Sequence, residues 1–172
     1  THNLSLRFQD FNADKQRSIM LMLDASMVQN SIVSRTTFNS ETGGQITTYT
    51  NVNGVWNVRL MNMFSMPLPF CKTLQFNNHI SASYNNNVGY NNNQRNSSGS
   101  LNVNESFGLA WRPEFIELEF RPRYNFQNVS NSVQKAADRS VHSYGGSFYT
   151  TYNSPFGIVI SSDINYSATS GY

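Results

Sequence analysis

The sequence predicts an all-β chain, an antiparallel up-and-down meander of about eight strands forming one unit over residues 1–172. Three observations carry this expectation. Apolar and polar residues alternate with period two, tight and long connections alternate along the chain, and polarity comes from amides and hydroxyls rather than charge. Successive side chains of a strand point to opposite faces, so this alternation marks a two-faced strand. Helical spacing is nowhere sustained.

The first expected strand, residues 3–11, rests on Leu4, Leu6 and Phe8. The next two, 17–29 and 53–66, carry apolar residues on both faces, as Met61, Met63, Phe64 and Met66 show, so both faces are expected to be covered there. Residues 73–85 set Leu74, Phe76, Ile80, Ala82 and Tyr84 on one side. Residues 100–111 do the same with Leu101, Val103, Phe107, Leu109 and Trp111, interrupted by Glu105. The sharpest alternation lies in 115–127, with Ile116, Leu118, Phe120, Tyr124 and Phe126 against Glu117, Glu119, Arg121 and Arg123. Two further strands, 140–153 and 156–168, follow from Tyr144/Phe148/Tyr152 and Phe156/Ile158/Ile160/Ile164/Tyr166.

Four connections are tight and rich in turn residues: Asn12-Ala13-Asp14-Lys15, Met66-Pro67-Leu68-Pro69-Phe70, Arg112-Pro113-Glu114 and Asn153-Ser154-Pro155-Phe156-Gly157. The other three are read as long polar loops: 30–52 with Gly43-Gly44, 86–99 with Asn91-Asn92-Asn93, and 128–139. In a meander, successive connections lie at opposite ends of the sheet. One end then has turns and the other loops.

Composition removes several function classes. With 12 basic and 10 acidic residues, a charge of +2 and 13% charged residues, there is no clustered basic footprint for nucleic acid. The single cysteine, Cys71, makes neither an internal disulfide nor a CxxC metal site. The run Ile19-Met20-Leu21-Met22-Leu23 is far short of the roughly 20 residues of a spanning helix. Thr1-His2-Asn3 shows no charged n-region, so a signal peptide is expected to lie upstream or to have been removed. Asn, Ser and Thr make about a third of the chain and aromatics 13%, a balance that favours a folded unit over disorder.

The asymmetry of ends matches outer-membrane β-barrels, with short periplasmic turns, longer extracellular loops and strands of about ten residues that are apolar outside and polar inside. In lipid an unpaired backbone group costs several kcal/mol, so a sheet crossing hydrocarbon closes on itself. The expected fold is of this barrel type, complete or incomplete, with the neutral polar face as a lumen wall.

Ser83-Tyr84-Asn85-Asn86-Asn87-Val88-Gly89-Tyr90 and the end Ser161-Ser162-Asp163-Ile164-Asn165-Tyr166-Ser167-Ala168-Thr169-Ser170-Gly171-Tyr172 resemble the barrel region of Bacteroidetes TonB-dependent-receptor-like outer-membrane proteins, the outer membrane protein beta-barrel family. Glu41-Thr42-Gly43-Gly44, Asn51-Val52-Asn53-Gly54-Val55-Trp56 and Tyr144-Gly145-Gly146-Ser147-Phe148 are similar to the same family. The resemblance implies a barrel segment excised from a larger protein of the cell outer membrane, serving nutrient uptake. Its implied partners are outer-membrane lipid, the plug and remaining barrel strands of the parent protein, and TonB through that parent; the transported ligand is not named by the sequence.

Glu117 and Glu119 have the residue types of a glycosidase carboxylate pair, but Arg121 and Arg123 continue the same face, and a lumen-facing charge ladder is the preferred reading. His2, His79 and His142 have no metal-ligand spacing, and no nucleophile elbow or phosphate loop is present. No catalytic residue, metal or cofactor is expected, and the chain is read as no enzyme. Tyr84, Trp111, Tyr124, Phe126, Tyr152 and Tyr166, with Tyr90, fall near strand ends as membrane-interface aromatics do. The alternative is a soluble β-sandwich or barrel acting as a cell-surface adhesin or carbohydrate-binding module, with its apolar faces packed inward and the Glu/Arg face in water.

Overall fold

The fold is described from a computed structural model covering residues 1–91, 93–133 and 135–171. The strands are β1 (His2–Asn12), β2 (Arg17–Val28), β3 (Ser31–Phe38), β4 (Gln45–Val52), β5 (Val55–Leu68), β6 (Cys71–Asn91), β7 (Gln94–Trp111), β8 (Ile116–Asn131), β9 (Arg139–Asn153) and β10 (Val159–Ser170). A 3-10 turn spans Lys135–Ala137. Eight strands form one antiparallel meander in the order β1-β2-β5-β6-β7-β8-β9-β10, and β3-β4 form a separate hairpin.

The tight turns are built by the residues that mark them. Gln16 donates its N–H to the carbonyl of Ala13 at 3.1 Å, and the Asn12 side chain accepts from Lys15 N at 2.8 Å. At the last turn Gly157 takes φ +83°, which a side chain disfavours, and donates to Ser154 O at 3.0 Å. Between β5 and β6 the register slips at Pro67/Leu68, where proline has no N–H to give the ladder.

The sheet does not close: β1 and β10 are its two edges and do not pair with each other. Residues 30–52 are no simple loop, because β-branched Ile32, Val33, Thr36 and Thr37 pair with Tyr49, Thr50 and their neighbours as a hairpin. That hairpin turns at Gly43, φ +68°, with Asn39 N–H donating to Gly44 O at 2.8 Å. Residues 86–99 also stay paired, the β6-β7 ladder running on to Asn91 opposite Gln94.

The register gives the sheet two faces. One row passes from Leu6 to Leu23, Leu60, Ala82, Val103, Phe126 and His142, and the neighbouring row on the other face from Arg7 to Met22, Met61, Ser81, Asn104, Asn125 and Ser143. We call the first face apolar and the second polar. Among the described residues no second sheet or helix layer covers either. Among the described residues the buried hydrophobics are Val52, Val88 and Ala110, and no large side chain is fully buried. The expected cover over both faces of β2 and β5 is therefore absent; Met63 and Leu60 both stand exposed.

Gly145 is required by close approach, because a Cβ there would meet the backbone oxygen of Tyr166 at 2.3 Å. Gly145→Ala should loosen β9-β10 pairing by about 1–3 kcal/mol, whereas Gly89→Ala, with open space around it, should be neutral or slightly stabilising. Denaturant titration of the two variants side by side checks this, and equal stabilities would contradict the close packing at Gly145.

Candidate functional site

The polar face is concave. Two hollows open on it, one of about 330 Å³ bordered by Asn104, Ser106, Arg123, Asn125 and Ser143, the other of about 470 Å³ bordered by Met20, Met63, Ser65, Asn77 and Arg121, while a larger one of about 690 Å³ lies at the tight turns beside Arg17, Pro67 and Lys72. His79 and Ser106 border the first two and stand opposite each other across β6 and β7.

Neutral polar side chains tie this wall together sideways. Asn57 Nδ2 donates to Ser26 Oγ at 2.7 Å, Ser65 Oγ to Asn77 Oδ1 at 2.7 Å, and Gln75 Nε2 to Ser65 Oγ at 3.0 Å. Asn125 donates to Asn104, and the hydroxyls of Ser143 and Thr169 share a bond of 3.1 Å. Such amide and hydroxyl pairs satisfy one another without introducing net charge.

Glu117, Glu119, Arg121 and Arg123 all lie on the polar face, as alternate residues of β8 must. They do not form one continuous ladder. Arg121 pairs with Glu119, but Glu117 turns to Arg112, whose Nε lies 2.6 Å from its Oε1 and whose Nη1 donates to Gln75 Oε1 at 2.8 Å. Arg123 reaches across to Asn165 Oδ1 at 3.5 Å. Each carboxylate thus has its own guanidinium, an arrangement suited to holding charge rather than to sharing a substrate. The same face carries Arg7, Asp24, Arg59 and Asp163, which the reading of single segments did not assemble; Asp24 and Arg59 are register partners.

The apolar face bears all six aromatics that the sequence suggests for a membrane interface, Tyr84, Trp111, Tyr124, Phe126, Tyr152 and Tyr166. Its apolar band crosses the sheet obliquely. The row of Leu6 arrives at Ser170 on β10, whereas the apolar residue Ile164 sits six positions nearer the tight turn (170 − 164). Aromatics follow the slope on the loop side: Trp56 on β5, Tyr84 on β6, Phe126 and Tyr124 on β8, Tyr144 on β9 and Tyr166 on β10 step progressively toward the turns. Trp56 stacks on Tyr84 at 4.9 Å between ring centroids, and Tyr124 Oη lies 2.8 Å from His142 Nδ1. Trp111 and Tyr152 occupy the turn side. Polar residues interrupt the band at two places, Asn62, Asn78 and Glu105 on neighbouring strands and the register pair Thr150 and Ser162 on β9 and β10.

Tyr90 has a different task. It lies in the long β6-β7 extension, under the guanidinium of Arg35 at 5.3 Å, and Arg35 also donates to Asn93, so the β3-β4 hairpin is pinned to the β6-β7 tip. Arg95 Nη2 donates to Asn53 O at 2.8 Å, and Asn86 Nδ2 to Gly54 O at 2.6 Å. Buried Asn131 takes Asp138 Oδ1 on its N–H at 2.6 Å and meets Asn96 through its side chain at 3.3 Å. The asparagines of the loops brace one loop against the next.

Among the described residues no group of three or more His, Cys, Asp or Glu side chains gathers as a metal site. Cys71 is free, with its Sγ 3.2 Å from Thr73 Oγ1 at the tight-turn end.

Arg35→Ala should release the β3-β4 hairpin, a loss of roughly 0.5–2 kcal/mol for a guanidinium over an aromatic face. Amide exchange should quicken across residues 31–52 and stay unchanged in β8 and β9; uniform quickening would contradict a local brace. Compared with known proteins, the chain matches no family model, no curated protein and no solved structure.

Proposed function

We propose that this chain is part of the wall of an outer-membrane β-barrel of the TonB-dependent-receptor-like kind, providing channel wall and extracellular loops for nutrient uptake. The observation that carries the reading is the uncovered apolar band, oblique to the strands and bordered by aromatics on its loop side. Barrel strands tilt by roughly 35–45°, so a hydrocarbon slab of constant height crosses their register rows at a slant. A soluble two-layer module gives its apolar face a partner layer, and here that face has none.

The edges support the same reading. Leu6 on β1 and Ile164 on β10 are 55% and 62% exposed, against 37% for Leu60 inside the sheet. In the proposed assembly further strands of the parent barrel pair with both edges, satisfying backbone groups that lipid would leave unpaired. The concave face then becomes a conduit wall, wetted by water and lined with amides, hydroxyls and paired charges. Ligand capture, the plug and the coupling to TonB belong to the whole protein, and this segment contributes rigid wall and braced loops.

Topology provides a test with the native cysteine. In intact cells carrying the protein in their outer membrane, Cys71, at the tight-turn end, should resist a bulky polyethylene-glycol maleimide until the membrane is permeabilised. Thr42→Cys in a Cys71→Ser background, on the β3-β4 hairpin, should react at once. The opposite pattern, or quantitative extraction of the protein without detergent, would refute the assignment.

Glu105 supplies a second test, because a carboxylate on a lipid-facing strand costs free energy that an alkyl group does not. Glu105→Leu should raise unfolding stability in detergent or bilayers by about 1 kcal/mol. A loss of stability would mean that this face meets water or a polar partner.

A further inference from the structure

The geometry points to a soft-metal site on the concave wall, a thioether cluster of Met20, Met22, Met61 and Met63 with the imidazole of His79 beside it, suited to Cu(I). Four of the chain's six methionines are register neighbours on one face: Met20 stands opposite Met63, Met22 opposite Met61, and Met63 opposite His79 on β6. Directly paired residues bring their Cβ atoms to about 4.5–5.5 Å, and the next pair on the same face follows about 7 Å along. Four side chains with three rotatable bonds each, rooted on such a rectangle, can converge their sulfurs on one point.

The choice of side chain separates by face. On β2 the order Met20-Leu21-Met22-Leu23 and on β5 Leu60-Met61-Asn62-Met63 send the leucines to the apolar face and these methionines to the polar one. Mere apolar bulk would be met by leucine on either side; what the concave face receives is sulfur. The cluster is set among polar residues, with Arg7 opposite Met22, Ser81 opposite Met61, and Ser18 and Ser65 paired in the next row toward the turns. Met63 and His79 also border the same hollow, which gives a solute access.

Thioethers are neutral soft donors, so they favour Cu(I) over hard cations such as Ca²⁺ or Mg²⁺, and imidazole complements them. The four thioethers carry no proton to lose when the metal binds. The inference needs the strand register and an accessible concave face; it does not depend on what the parent protein transports.

The test uses the full chain in detergent micelles, with Cu(I) kept reduced by ascorbate and competed against a chromophoric Cu(I) chelator. The native chain should withdraw one Cu(I), and the pair Met20→Leu/Met63→Leu should weaken it by roughly tenfold or more, as loss of metal-site partners does. Met27→Leu/Met66→Leu, which alters the two methionines of the apolar face, should leave affinity unchanged. Methyl NMR of the native chain, which needs no variant, should show Ag(I) shifting Met20, Met22, Met61 and Met63 but not Met27 or Met66. Failure to withdraw Cu(I), equal losses in the two double variants, or indiscriminate methyl shifts would overturn the site. These outcomes are read independently of Cys71 labelling, so the metal site and the barrel topology stand or fall separately.

Discussion

The backbone ladder governs this molecule. Each strand of the eight-stranded sheet pairs antiparallel with the next in the order β1-β2-β5-β6-β7-β8-β9-β10, the register shifting at Pro67/Leu68, and the pleat then assigns every side chain to one of two faces. A slip of one residue between β7 and β8 would send Glu119 and Arg121 to the apolar side and Phe120 to the polar side. Because a row of large apolar side chains remains uncovered on one face, the chain lacks the packed interior that stabilises most domains of this length. Its cohesion comes from hydrogen-bonded strand pairs, and its apolar face calls for a surrounding of like character.

The polar face is built to avoid strong fields. Amide and hydroxyl pairs such as Asn57 with Ser26 and Ser65 with Asn77 cross-link it, and two of its carboxylates sit against guanidinium groups, Glu119 with Arg121 and Glu117 with Arg112. Exposed pairs of this kind add little stability, about 0–1 kcal/mol each. At the loop end the arrangement is denser, with Val52, Val88 and Asn131 buried beneath cross-loop bonds, so long connections become an ordered rim rather than free chains.

Much of the meander was legible because alternation is local: Ile116 to Phe126 announces both its strand and its faces without knowledge of a neighbour. The β3-β4 hairpin was not, since its apolar residues are few, largely exposed on both sides, and mixed with threonine, leaving no amphipathic signal. The extension of β6 and β7 past Asn86 was hidden by asparagine, glycine and serine, poor strand formers that pair there because the ladder below them fixes the register. Among site residues, the common face of Glu117, Glu119, Arg121 and Arg123 was readable, but the diversion of Glu117 to Arg112 and the different task of Tyr90 were not. The methionine quartet was visible only as puzzling two-faced segments; registering β2 against β5 turns it into a cluster. Openness of the sheet was equally unreadable, because closure depends on how the first strand meets the last.

The central claim is that the apolar face meets hydrocarbon and the concave face water. Nitroxide labels placed one at a time along residues 116–126 of β8, with the protein in lipid vesicles, report this directly through collision with oxygen, which concentrates in hydrocarbon, and with a water-soluble nickel chelate. The account requires oxygen exposure at even positions such as Leu118 and Phe120 and nickel exposure at odd ones such as Glu119 and Arg121. Nickel exposure at both sets, or a protein that stays in the aqueous phase, would contradict it.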